Sequence, residues 1–435
     1  MKSSERQRTI QNPMVVISLD AVGTRDLPFL KSLPNFGRFW EEAAVCERVK
    51  TVYPSLTYPA HTSIVTGMYP DAHGIVNNLQ IQPEREKTDW FWQRRYVQAE
   101  TLYDQVRKKG GTAASLLWPV TGGAKIRFNL PEILPNRPWQ TQTMVSCLNG
   151  SPLYELELQR LFGHIRKGVS QPALDDFVQA SLLHTLERYR PDLTLVHFTD
   201  VDTNRHLYGV TSPQAKAALK RHDQRIGEVL GLLSRSEWGK RANVVLLGDH
   251  YQLDVERAVC PNYYFAKRRW LTVRDGRIAD WRVLARECDG SCYIYIKERT
   301  FTAQVYGLLE ELREKGLVKA VYTGKEAAAM GADRECAFMV DGGDGVYFLN
   351  DWKAPAVREA VSRATHGFHP DRDGYTTIFG GRGPAFARGG RQEEMCLVDE
   401  GPTLAAALGV SLGRTDGEIK KNLLFISSDR VYNRK

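Results

Sequence analysis

Three short aliphatic runs, each closing on an aspartate, constrain this chain more than any other feature. They are "MVVISLD" ending at Asp20, "LTLVHFTD" ending at Asp200 and "NVVLLGD" ending at Asp249. A strand that is apolar on both faces has no side for water, so these runs predict a sheet covered on both faces. "AASLLWP", closing on Pro119, reads as a fourth strand. Amphipathic helical patterns lie between them: "LPNFGRFWEEAAV", "AETLYDQVRKKG", "DDFVQASLLHTLERYR" and "SPQAKAALKRHDQRIGEVLGLLSRS". Strand–helix alternation predicts an α/β fold, with a central, mostly parallel sheet flanked by helices. In such sheets ligands sit at the carboxyl ends of the strands. Asp20, Asp200 or Asp202, and Asp249 would then share one rim.

Residues 260–350 read differently. "WLTVRDGRIADWRV", "GSCYIYIKE" and "CAFMVDGGDGVYFLND" are short alternating strands with Gly-Asp turns. The expectation is one catalytic domain over residues 13–425, with a β-rich subdomain inserted at 260–350. Hydrophobic residues make up 42% of the 435 positions, enough for a core of that size.

Charge and cysteine content exclude some classes. The net charge is +8, from 59 basic and 51 acidic residues. Spread over this length it is mild, and "KRRW" at 267–270 is too short for a nucleic-acid tail. A small anionic substrate fits; a nucleic-acid polymer is not expected. The first apolar run, "MVVISL", follows a polar start and is too short for a signal or membrane segment. The chain therefore reads as cytoplasmic, with no membrane partner. The seven cysteines are scattered. Cys288 and Cys292, in "ECDGSC", have no second thiol pair nearby, and their role is left open. So is the oligomeric state.

Spacing nominates metal ligands. Asp202 and His206 are four apart in "DVDTNRHLYG", so one helical turn or a tight loop puts both on one side. Asp249 and His250 are adjacent just past a buried strand, His366 sits beside a glycine in "ATHGFHP", and Asp20 ends the first strand. Mixed nitrogen and oxygen ligation suits Zn²⁺, with Mn²⁺ as the alternative. With the hydroxyl of Thr57 the set is large enough for two ions about 4 Å apart, the spacing of in-line phosphoryl-transfer sites.

At these residues the chain resembles the alkaline phosphatase superfamily, and within it the nucleotide pyrophosphatase/phosphodiesterase family. The resemblance runs through "VVISLDAVG", "YPSLTYPAHTSIVTGMYPDAHGIVNN", "DVDTNRHLYG", "LLGDHYQ" and "HGFHPDRDGYTTIFGGRGPAF". It implies an alkaline-phosphatase-like core. It also implies one ion held by Asp20, Thr57, Asp249 and His250, and a second by Asp202, His206 and His366. Thr57 would be the nucleophile, at a helix N-terminus, and Asn78 would contact a phosphate oxygen. The mechanism implied is two in-line displacements through a phospho- or nucleotidyl-threonine.

The remaining residues of the Thr57 segment, His61, Ser63, Thr66 and His73, read as packing and hydrogen bonding around its helix. Tyr58 and Trp118 are candidates for an aromatic platform under a nucleobase, or for core packing. Lys125 and Arg127 are candidates for gripping a dianionic phosphate, or for surface charge. "GDHYQ" and Leu56 depart from the family pattern, and His197 stands where the family often has an aromatic. The favoured activity is hydrolysis of phosphodiester or pyrophosphate bonds in nucleotide-like substrates. The alternatives are a phosphomonoesterase or phosphonate hydrolase on the same scaffold and, less favoured, a metal-bound binding protein without catalysis.

Overall fold

The structure is a computed structural model, and it describes residues 10–425. The polar start of the chain, residues 1–9, lies outside the described residues. Seven strands build most of a nine-stranded sheet: β1 (Met14–Leu19), β2 (Ala44–Lys50), β3 (Ala113–Leu116), β4 (Phe128–Leu130), β5 (Leu193–Phe198), β6 (Asn243–Leu247) and β7 (Thr377–Arg382). Their spatial order is β2-β7-β6-β1-β5-β3-β4, with two short strands at Arg391–Gln392 and Met395–Cys396 on the outer edge of β2.

The three aspartate-terminated runs are neighbours at the centre. Strand β1 pairs parallel with β5 and with β6, Met14 lying opposite both Leu193 and Asn243. Every residue of β1, β5 and β6 is buried. Alternation divides β1 between two cores: Val15, Ile17 and Leu19 pack on one face, Met14 and Val16 on the other. All four helical patterns form, at Pro34–Glu42, Leu102–Lys108, Ala173–Arg188 and Pro213–Ser234.

Strand β7 is antiparallel to both β6 and β2. It carries "IFGGR", and two consecutive glycines hide it from a strand pattern. A Cβ on Gly380 would come 2.7 Å from the Trp40 ring, so the indole occupies the space a side chain would need.

Within residues 260–350 a four-stranded antiparallel sheet runs in the order Val283–Cys288, Ser291–Ile296, Phe338–Gly342, Val318–Thr323. The helix Thr302–Glu314 packs on it through Val305, Leu308, Leu309 and Leu312, in a core separate from those of the main sheet. The turn of its first hairpin, with Asp289, reaches the rim of the main sheet. No helix among the described residues is long and apolar enough to cross a membrane.

Candidate active site

The carboxyl ends of β1, β6 and β5 deliver the chemistry. Asp20 follows β1, Asp249 follows β6, and β5 runs into helix α2 (Asp200–Tyr208). That helix brings Asp202 and His206 onto one side, His206 Nε2 lying 3.4 Å from Asp202 Oδ1. His366 follows the short strand Ala364–Thr365, which pairs with Leu253–Asp254.

Thr57 is the first residue of helix α1 (Thr57–Thr66), whose N-cap is the extended Leu56. The unpaired amide groups and dipole of that helix end favour negative charge at Thr57. The Tyr58 amide donates to Asn78 Oδ1 at 2.9 Å, which fixes Asn78 across the helix start. Its Nδ2 group remains a donor for the cavity the residue lines.

Both expected ligand groups form, and a third cluster, His61, His197 and Asp249, shares Asp249 with one of them but has its histidines hydrogen-bonded elsewhere. Asp20, Asp249 and His250 offer atoms within 4.8 Å of one another, and so do Asp202, His206 and His366. His250 Nε2 lies 3.4 Å from Asp20 Oδ1, 3.2 Å from Asp249 Oδ2 and 3.1 Å from Thr57 Oγ1. The His250 and His366 rings stack with centroids 4.1 Å apart, so the two groups adjoin.

Electrostatics says what the groups lack. Asp20 Oδ1 and Asp249 Oδ2 are buried without a hydrogen-bond partner. Burial, then the charge of Asp202, pushes the Asp20 carboxyl up to about 7. Burial and the Asp20 charge push Asp249 well above the carboxylate range. Burial pulls His250 well down, with the His366 charge adding to it. Burial also opposes ionisation of Asp202, but the charges of His206, His366 and His250 outweigh it and hold that carboxyl low. Two buried carboxylates that cannot both ionise, beside a neutral imidazole with a free nitrogen, form a set that a divalent cation completes. The donor set therefore fits metal ions.

The other expectations sort cleanly. Asp200 is taken by Arg221 at 2.6 Å and Arg225 at 3.3 Å and does not join the ligands. His61 spends both ring nitrogens on Thr57 O and Ser18 Oγ, at 2.8 and 2.9 Å. His73 Nε2 meets Ser63 Oγ at 3.0 Å, and Thr66 Oγ1 donates to Thr62 O at 2.7 Å.

Two substrate-side expectations need correction. Trp118 is fully buried with its edge on His61, 4.7 Å between centroids, and does not line the cavity. Its place past the end of β3 points it into the core. Lys125 and Arg127 are exposed and also lie outside the cavity lining. Arg127 instead sits over the Phe128 ring, 5.6 Å from its centroid. Tyr58 does line the cavity, but its phenol is tied to Glu132 Oε1 at 3.0 Å and its ring meets Trp90 edge-on at 5.3 Å.

The cavity over the ligands has a volume of about 350 Å³. Its wall adds Trp90, Glu132, His197, Glu287 and Asp289; of these the sequence reading marked only His197, as a departure from the family pattern. His197 lies between two carboxylates, with Nε2 3.0 Å from Asp20 Oδ2 and Nδ1 3.3 Å from Glu132 Oε2. Burial alone would neutralise it, but its bonds to Asp20 and Glu132 hold its pKa well up. A histidine inside the otherwise apolar "LTLVHF" was the available signal. Burial and the charge of Asp289 push Glu287 up to about 8.

A covered α/β sheet with two adjoining carboxylate–imidazole groups, and a threonine at a helix N-terminus beside them, defines the alkaline phosphatase superfamily. The chain belongs to the type I phosphodiesterase / nucleotide pyrophosphatase family, whose model matches residues 14–369. Human ectonucleotide pyrophosphatase/phosphodiesterase family member 1 is 23% identical over 247 residues, covering 56% of this chain and 22% of the relative. The venom phosphodiesterase of Macrovipera lebetinus is 24% identical over 271 residues, covering 59% and 28%. The match thus spans less than a third of these relatives' length. Among solved structures, murine ectonucleotide pyrophosphatase/phosphodiesterase 5 superposes with a TM-score of 0.68 at 19% identity, covering 95% of this chain and 100% of that one. An inactive variant of that protein, solved in complex with AMP, superposes equally well.

Proposed function

We propose that this chain hydrolyses phosphodiester or pyrophosphate bonds in nucleotide-like substrates through a covalent phospho- or nucleotidyl-threonine at Thr57. The observation that carries the reading is the position of Thr57 Oγ1. It sits at the start of α1, 3.1 Å from His250 Nε2, and lines the same cavity as Asp20, Asp202, His206 and His366. The pyrophosphatase/phosphodiesterase relatives and the AMP complex of the structural neighbour support a nucleotide-like substrate.

Asp20, Thr57, Asp249 and His250 would hold one divalent ion and Asp202, His206 and His366 another, with two Zn²⁺ the best fit and Mn²⁺ the alternative. Bound there, the ions supply charge neutralisation for the attacking and leaving oxygens. The chain's own residues do the rest. The α1 terminus favours the deprotonated Thr57 oxygen. That oxygen forms the new P–O bond while the leaving oxygen departs with its electron pair, and water then displaces Thr57 in a second in-line step. Asn78, held by the Tyr58 amide, presents its Nδ2 to a phosphoryl oxygen.

The cavity wall favours a diester over a monoester. Beyond the ligand groups its lining among the described residues holds no lysine or arginine; the imidazole of His197 is already bonded to Asp20 and Glu132, and the rest are the neutral Asn77 and Asn78 and the carboxyls of Glu132, Glu287 and Asp289. A dianionic monoester gains nothing from such a wall. The test compares kcat/KM on nitrophenyl phosphate, its nucleotide diester and its methyl phosphonate. Preference for the diester is the expected result. If the monoester wins, and the Lys125→Ala/Arg127→Ala double variant loses it by about a hundredfold, the phosphomonoesterase reading replaces this one.

A further inference from the structure

A second cavity, of about 550 Å³, adjoins the first. Leu79 and Trp90 line both. These two residues face each other in an antiparallel bridge, so they form a neck between the cavities. Chain continuity repeats the relationship on both walls. Asn78 lines only the first cavity, and Leu79, next in the chain, lines both. On the strand Val283–Cys288, Glu287 lines the first and Arg286 the second. The strand thus serves the first cavity through Glu287 and the second through Leu284, Ala285 and Arg286.

Arg286 is the unusual member. It is 5% exposed. Its Nη2 donates to Gln80 O at 2.6 Å, its Nε has no partner, and no carboxylate among the described residues lies within ion-pair distance of it. A guanidinium does not deprotonate in a protein, so this is a full buried positive charge without a counter-ion. Elsewhere on the wall Arg85 is engaged by Asp89 at 3.5 Å and Asp351 by Arg358 at 2.8 Å. That leaves Lys87 and Arg277 against Glu86, a net positive surface, with Trp352 beside it.

We propose that this cavity is an anion subsite that takes a second phosphate, carried on a substituent of the scissile phosphodiester and reached across the Leu79–Trp90 neck. The proposal rests on the phosphodiesterase reading of the first cavity and narrows its substrate class to diesters with a distal phosphate. Arg286 supplies the buried donor, Arg277 the outer charge, and Trp90 an aromatic edge at the neck for the group between the two phosphates.

The test uses the dinucleotides TpT, pTpT and TpTp. Wild-type protein should turn over one of the phosphorylated forms with kcat/KM about tenfold or more above TpT, mostly through KM. Arg286→Gln should erase that advantage while TpT turnover stays within about twofold, and Arg286→Lys should recover part of it. Arg277→Ala removes an exposed side chain, so it keeps the question open to test if Arg286→Gln does not fold; it should cut the advantage about threefold or more. Affinity ratios measured on Thr57→Ala protein read the subsite without turnover. Equal wild-type kcat/KM on all three dinucleotides together with equal affinities on Thr57→Ala, or an Arg286→Gln variant that weakens TpT and the preferred phosphorylated form by the same factor, overturns the subsite. Failure to cleave TpT, with the affinity ratio intact, overturns the hydrolase reading alone.

Discussion

Thr57 Oγ1 and His250 Nε2 lie 3.1 Å apart, although 193 residues separate them in the chain. Parallel strand order creates the contact. His250 follows β6, and Thr57 opens the helix that returns behind β2. Thr57→Ala should therefore remove the reacting oxygen and little else. Its kcat should fall by several orders of magnitude, with Tm within about 3 °C of wild type. Thr57→Ser should keep part of the activity. Near-wild-type turnover in the alanine variant would remove Thr57 from the mechanism.

Metal dependence follows from the orphaned oxygens of Asp20 and Asp249. Chelation should abolish activity and Zn²⁺ should restore it, with about two ions per chain by elemental analysis. His366 belongs with Asp202 and His206, so His366→Ala should retain about one ion. Full activity in chelator, or an unchanged ion count in the variant, rules out this division of ligands.

The bridge from Asp20 through His197 to Glu132 predicts a positioning role. His197→Phe conserves bulk but removes both bonds, leaving Asp20 without its donor. Zinc affinity at one site should weaken about tenfold to a hundredfold, the usual range for a partner behind a ligand. Glu132→Gln keeps a hydrogen-bond acceptor and should cost less. Competition with a chromophoric chelator measures both. Unchanged affinity in His197→Phe would show that Asp20 needs no such support.

The legible parts of this protein are those where one local pattern decides the outcome. Three buried strands closing on aspartate placed the rim, and the i,i+4 spacing of Asp202 and His206 placed one ligand pair. What was hidden depends on residues distant in sequence. The double glycine in β7 reads as a loop until Trp40 is seen filling the space beside Gly380. Glu132 comes from a proline-rich stretch with no periodicity, and only its contact with His197 and Tyr58 gives it meaning. Trp118 misled because an aromatic residue after a strand points equally well into a core or a cavity. Arg286 carries no signal in the sequence, and only its burial beside a cavity distinguishes it.

Glu155 gives a prediction about stability independent of catalysis. It lies in the helix Pro152–Phe162, is 6% exposed, and its Oε1 has no partner. Burial pushes its carboxyl from the ordinary 4.5 up to about 7. A carboxyl whose folded pKa is raised favours the folded state while both states are protonated. Its contribution is full below the unfolded value and is lost as pH rises through the folded one. The window runs from 4.5 to about 7. Glu155→Gln keeps the shape and cannot ionise. At about pH 4 the variant and wild type should melt together, and at about pH 8 the variant should melt higher, by on the order of a few degrees. Thermal melts across that range measure the gap. A gap that stays constant with pH would mean Glu155 ionises at the same pH folded and unfolded.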